Sequence, residues 1–224
     1  CVSLTRLNRT FVVEGLRRIN QKPRPGIASL IRAAKRSFGY ITTSDISFAL
    51  APRLNAAGRL QDMRTGIRLL LSEDIIECDR LAEELASLNK ERQQIERDAL
   101  ANCDQQVNQT EGAAVVYDPN WHEGVIGLIA SRVKEQFQIP VVAMTNDEQG
   151  AIKGSARSIS GINVRDVLVD VDRILPGVIK KFGGHAMAAG MSIESNALAA
   201  FRECFCQVAG QKVRDGALEG DLFY

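Results

Sequence analysis

The sequence contains no apolar run long enough to cross a bilayer and no charged-then-apolar leader, so it reads as a soluble cytoplasmic protein without a membrane partner. Its five cysteines (Cys1, Cys78, Cys103, Cys204, Cys206) are odd in number and include no CxxC. That argues against a disulfide framework and against a zinc site, and for thiols in a reducing compartment. Only two histidines occur, His122 and His185. His122 and Glu123 are adjacent, and neighbouring residues are poorly placed to converge on one ion, so a structural role is expected for them. No methionine opens the chain, which starts at Cys1 and therefore reads as a piece of something longer. From Ile75 to Asn108 there is neither proline nor glycine.

What is present suggests two lobes. The chain has 224 residues, 45% of them apolar, enough for each lobe to bury a core. The net charge is +1 and unevenly spread. Residues 1–60 hold eleven Lys and Arg against Glu14 and Asp45, whereas residues 61–112 hold six basic and twelve acidic side chains. A basic block in a neutral protein is the footprint of a polyanion partner, although a solvated basic face gives the same count.

Periodicity gives the coarse organisation. FVVEGLRRI (11–19) and GIASLIRAAKRS (26–37) predict short amphipathic helices separated by QKPRP. SDISFALA predicts another, N-capped by Ser44. Over 75–108, Cys78, Leu81, Leu85, Leu88, Ile95 and Ala99 keep a 3/4 spacing interrupted by Arg92. They predict one long helix of about 50 Å, able to join two lobes and fix the gap between them. Beyond Gly112 the texture becomes α/β: AAVVYD, IPVVAMT, GAIKGSARS and GMSIE read as strands, with helices over EGVIGLIASRVKEQF, INVRDVLVDV and ALAAFRECFCQVA. Such alternation implies an open sheet covered on both faces, with ligands at strand ends.

Three clusters have the residue types for anion chemistry. In ALAPRLNAAGRL, Arg53 and Arg59 bracket Asn55. Guanidinium forks grip phosphate and Asn bonds a base edge or sugar, but Pro52 and Gly58 could equally bound a turn carrying solvated arginines. In KGSARS, strand alternation puts Lys153, Ser155 and Arg157 on one face, which suits a terminal phosphate or an ordinary polar edge. In KKFGGHAMAAG, Gly183 and Gly184 admit positive φ and uncover N–H groups beside His185, and Ala186 to Ala189 are expected to continue as a turn of helix.

Taken together, KFGGHAMAAG resembles the GGHxxAAG signature of the DHH-associated domain, and DPNWHEGVIGLIASRVKEQFQIPVVAM and KGSARSI are similar to its companion segments in the same order. With that domain behind it, APRLNAAGRL resembles the RecJ family of single-strand-specific exonucleases. The resemblance implies an α/β fold in four parts: a helical end of a DHH lobe (1–72), a long connecting helix (73–110), a mixed-sheet DHH-associated domain (111–210) and the start of a linker (211–224). It implies a 5′-to-3′ exonuclease that releases mononucleotides from single-stranded DNA in recombination and repair, with two Mn2+ or Mg2+ ions. A helicase or a single-strand-binding protein is a candidate partner.

Neither a DHH triplet nor the aspartates preceding it in that family occur here. The resemblance therefore implies a chain that begins after the metal-binding segments, stops before a following oligonucleotide-binding fold, and is inactive alone. Carried over, Arg53, Asn55 and Arg59 hold the strand, Ser155 and Arg157 receive the 5′ phosphate, and Gly183, Gly184 and catalytic His185 meet the scissile phosphate. A short-oligonucleotide or cyclic-dinucleotide phosphodiesterase, and a non-enzymatic nucleic-acid-binding module, are the alternatives.

Overall fold

A computed structural model describes residues 4–108, 111–147 and 150–220, the side chains of 217–220 excepted. The chain forms two compact units, Cys1–Gln93 and Gln94–Tyr224. Among the described residues no helix is long and apolar enough to cross a membrane.

The first unit is helical. Helix α1 (Arg6–Gln21) starts at Thr5, whose hydroxyl accepts from the Asn8 N–H, and α2 (Pro25–Ala33) follows the proline break. The next helix begins earlier than the sequence suggests. Thr42, not Ser44, is the cap of α3 (Thr43–Asp45): its hydroxyl accepts from the Asp45 N–H while the Asp45 carboxylate accepts from the Thr42 N–H. The path then widens into a π turn, Ile46–Leu50, and continues as α4 (Ala51–Leu60). Pro52 and Gly58 therefore bound no turn. The π turn, in which the Ala51 N–H reaches Ile46 C=O, lies directly ahead of the proline that cannot donate. Helix α5 (Arg64–Leu71) and the first half of α6 (Ile75–Ala101) complete the unit around Leu30, Ile31, Leu50, Leu69, Leu81 and Leu85.

Helix α6 stops at Ala101, short of the expected Asn108. A 3-10 turn, Asp104–Gln106, takes over, and the Gln106 carboxamide both donates to Tyr117 C=O (3.2 Å) and accepts from Tyr117 N–H (2.9 Å). Side-chain bonds to a strand backbone compete with helix continuation there.

The second unit has the expected mixed α/β architecture. Strands β1 (Ala114–Tyr117), β2 (Val141–Asn146), β3 (Ile152–Arg157), β4 (Ile179–His185) and β5 (Ala188–Ile193) form one sheet in the order β1-β2-β3-β5-β4. Only β1 and β2 are parallel; the other pairs are antiparallel, and β1 and β4 are the edge strands. One face carries Val142, Met144, Ile152, Ala156, Met191 and Ile193 into the core, against α8 (Val164–Ile174) and α9 (Leu198–Gly220), where Phe201 and Phe205 stack. On the opposite face α7 (Ile126–Phe137) packs on β2 and β3. The cysteines Cys78, Cys103, Cys204 and Cys206 are free and buried. Burial pushes the Cys103 thiol up to about 11 and Cys206 up to about 12, so these thiols stay protonated and act as packing groups.

Candidate nucleic-acid interface

The face of the sheet that meets α7 carries the sequence-selected residues of the second unit except Gly184, which pairs with core residue Ala189 on the other side. Cross-strand register sets three rows across β3, β5 and β4: Arg157–Ala188–His185, Ser155–Gly190–Gly183, and Lys153–Ser192–Lys181. Paired residues of an antiparallel ladder point to one side, so each row lies on one face, with rows about 7 Å apart and strands about 5 Å apart. Arg157 and His185 are thus brought to the same end of one face, two strands apart. Lys153, Ser155 and Arg157 share it as the alternation predicts.

Helix α7 leaves room for the first two rows. A Cβ added at Gly127 would lie 2.8 Å from Arg157 Nη2 and 3.2 Å from Ser155 Oγ, so the helix approaches these side chains only because residue 127 has none. The Arg157 guanidinium donates to Ser155 Oγ (2.9 Å) and to Ala156 C=O (2.8 Å), which fixes its plane beside the first turn of α7. A fixed guanidinium, a hydroxyl and a helix N-terminus together form a cradle for an oxyanion. In the third row Lys153 pairs with Glu123, which precedes α7. His122 is exposed, and its Nδ1 accepts from the Gly124 N–H (3.0 Å), the local structural role expected of it.

The histidine segment departs from the sequence reading. Ala186 to Ala189 form no helical turn: Ala186 and Met187 close a two-residue hairpin between His185 and Ala188, and β5 begins at Ala188. The deciding signal is the period of two in AAGMSI, which buries Ala189, Met191 and Ile193. Of the two glycines only Gly184 has positive φ, +152°; a Cβ there would meet Ala188 C=O at 2.4 Å and the Ala189 Cα at 2.5 Å. His185 is exposed and no hydrogen bond joins its side chain to a described residue.

Alongside the second and third rows lies a cavity of about 550 Å³, with Ile126 and Glu123 on one side and Lys153, Ser192 and Lys181 on the strands. Sequence reasoning missed Gly127, Gly190 and Ser192. The first had a signal, a glycine inside a helical pattern, which often marks a close approach. The other two needed the register.

In the first unit, α4 places Asn55 and Arg59 one turn apart on one side, with Arg53 on another. The half-buried Arg53 guanidinium donates to Ala49 C=O (2.6 Å), and burial, with the nearby Arg36 cation, pushes its pKa down. A linear reading of the motif put all three together; helical phase separates them. In the same unit Arg17 and Arg18 share Glu14, Arg32 pairs with Asp79 and Arg36 with Asp45. Arg6, Arg9, Lys22, Arg24 and Lys35 make no ion pair among the described residues, so part of the basic block is uncompensated. Among the described residues no three His, Cys, Asp or Glu side chains are grouped so as to hold a metal ion.

Residues 110–211 match the DHHA1 domain family. The single-stranded-DNA-specific exonuclease RecJ of Dickeya dadantii (strain 3937) is 43% identical over 227 residues, covering 98% of this chain and 39% of the relative. Two crystal structures of RecJ from Thermus thermophilus are similar at 33% identity. The one in complex with Mg2+ has a TM-score of 0.82 over 94% of this chain and 32% of its own; the one in complex with Mn2+ has 0.80 over 91% and 30%. The chain thus spans less than half the length of each of these three proteins.

Proposed function

Residues 110–211 are a DHHA1 domain and the chain is a RecJ homologue along nearly its whole length, and from that premise we propose that it is the substrate-gripping part of a single-strand-specific 5′-to-3′ exonuclease hydrolysing phosphodiesters to mononucleotides in DNA recombination and repair. The observation that carries the reading is the convergence of Ser155, Arg157 and His185 on one sheet face, with Gly127 clearing space beside the first two.

In this reading Arg157 and Ser155 take the terminal phosphate of the strand. Arg157 supplies two N–H groups in one plane, Ser155 orients them, and the α7 N-terminus adds its partial positive charge. His185, two strands away, donates a hydrogen bond to the scissile phosphate, and Gly183 lets the strand approach the backbone beside it, whereas Gly184 is taken up by the close pairing with Ala189. Asn55 and Arg59, in the first unit, also bind the nucleotide chain. Arg53, tied to Ala49, shapes that segment and adds positive potential. We assign the whole exonuclease two divalent ions, Mg2+ or Mn2+, which would activate water and stabilise the leaving oxygen. The described residues of this chain do not fit such a centre, and its own contribution is to bind and orient phosphates.

The test is end discrimination. In a full-length exonuclease carrying this segment, Arg157→Ala is expected to lower kcat/KM on a 5′-phosphorylated single strand by about 10- to 100-fold, the worth of a charged hydrogen-bond pair, with a hydroxyl-ended strand changed by less than about threefold. Equal loss on both ends would remove the phosphate role. Parent enzyme that frees no mononucleotides from single strands would remove the exonuclease itself.

A further inference from the structure

The two edges of the second unit's sheet differ. At β1 the outward backbone is taken up: the Gln106 carboxamide bonds both Tyr117 N–H (2.9 Å) and Tyr117 C=O (3.2 Å), and the Cys206 thiol donates to Ala113 C=O (3.6 Å). At β4 it is not. His185 and Ala188 flank a two-residue turn and so exchange their backbone hydrogen bonds, and the alternation of an antiparallel ladder then turns the N–H and C=O groups of Phe182 and Gly184 away from β5. No hydrogen bond joins those four outward groups to a described residue. From Lys180 to His185 every residue is exposed except the half-buried Phe182.

An open edge is a template for another strand, and proteins usually blunt it with charge or a bulge. Here the blunting is confined to one end, where the pairing shifts between Ile179 and Lys181 and two lysines stand together. From Phe182 to His185 the register is unbroken. A Cβ added at Gly183 meets nothing within 4 Å, which leaves room there for a large side chain of an added strand. Lys180 pairs with Glu194 (2.8 Å), whereas Lys181 makes no ion pair among the described residues. The strand itself, IKKFGGH, has no acidic residue. A second copy paired edge to edge would set like charges near one another, and an acidic segment would neutralise them.

We propose that β4 is a docking edge for an extended, acidic segment of a partner protein, which joins the sheet as a further strand antiparallel to β4. Its backbone bonds Phe182 and Gly184, an acidic side chain meets Lys181, and a bulky apolar one covers Gly183. Main-chain bonds supply the affinity, and the lysine and the glycine supply the choice of segment. Antiparallel pairing is the more stable of the two directions per residue. The edge asks its occupant for donors as well as acceptors. A single-stranded nucleic acid carries acceptors along its phosphates and no donor among them, so it would leave the two outward carbonyls facing oxygens. The outer edge of β4 is separate from Ser155 and Arg157, so this docking does not depend on their phosphate role.

The probe is the capped peptide EVEVFVEVE, titrated into this chain and followed by amide NMR shifts and hydrogen exchange. Its palindromic order lets the Phe fall over Gly183 and a Glu beside Lys181. Saturation is expected to slow exchange of the Phe182 and Gly184 amides at least about tenfold and that of Gly183, already bonded to β5, less than about twofold. N-methylating the two valines that flank the Phe, whose N–H groups face β4, is expected to weaken binding at least about tenfold, and N-methylating the Phe, whose N–H faces outward, less than about threefold. Lys181→Glu is expected to weaken it about three- to tenfold and to flatten its salt dependence. Absence of binding to the parent, equal effects of the two methylation patterns, or protection confined to other strands would overturn the docking edge. Protection of the same two amides by an oligothymidylate instead of the peptide, or in the parent alone as a dimer by sedimentation, would give the edge to nucleic acid or to a second copy and overturn the acidic partner.

Discussion

Replacing His185 by alanine in a full-length exonuclease that carries this segment is expected to lower kcat by about 100- to 1,000-fold, the effect of deleting one hydrogen-bond donor aimed at developing charge. The fold has little stake in this side chain. His185 is exposed at the end of β4, outside the core formed by Met191, Ile193 and the α8 and α9 side chains, and bonds to no described residue. The proposed function spreads strand binding over Arg157, Ser155, Arg59 and Asn55, so KM and single-strand affinity should change by less than about threefold. A matched pair of measurements settles it: steady-state kinetics with manganese supplied, and thermal unfolding. Unchanged turnover would take the imidazole out of the mechanism, and a fall in melting temperature equal to the loss of activity would make it structural.

The second large effect is on stability. Gly184→Ala is expected to destabilise the second unit by about 2–4 kcal/mol, combining a backbone region open to glycine almost alone with a methyl forced against the neighbouring strand. The added carbon would sit 2.4 Å from Ala188 C=O and 2.5 Å from the Ala189 Cα, both backbone atoms of the paired strand that cannot rotate away. Gly183→Ala, one residue earlier, meets nothing and should change stability by less than about 1 kcal/mol. Trp121, the only tryptophan, is buried in this unit, its carbonyl accepting from Thr145 Oγ1 at 2.7 Å, so its fluorescence in urea reports the transition. Equal stability of the two alanine variants would show that position 184 does not need glycine.

Much of the second unit could be read from sequence because four of its five strands declare themselves; β4, IKKFGGH, has no apolar alternation and was not expected as a strand. In IKGSAR the apolar and polar residues alternate, and the face shared by Lys153, Ser155 and Arg157 follows from that alone. The hairpin after it was harder. Glycine and alanine carry little hydrophobic signal, so the small-residue run 186–189 could be taken for a helical turn; the period of two that decides it emerges only with Met191 and Ile193. In the first unit the difficulty was phase. Pro52 and Gly58 look like turn residues, and a π turn that lets the helix run on from Thr43 to Leu60 has no simple sequence mark. Without that helix, Arg53 could not be told apart from Asn55 and Arg59. Gly190 and Ser192 gain meaning only across strands, since one is defined by the emptiness above it and the other by its neighbours on β3 and β4.

The two-sidedness of β3 also bears on how such a protein can change over generations. Ala156 and Arg157 are encoded by adjacent codons, yet one answers to volume inside a packed layer and the other to whatever arrives from outside. A lineage acquiring a new substrate could therefore rewrite every second position of this strand and its partner β5, leaving the intervening ones untouched and the scaffold intact.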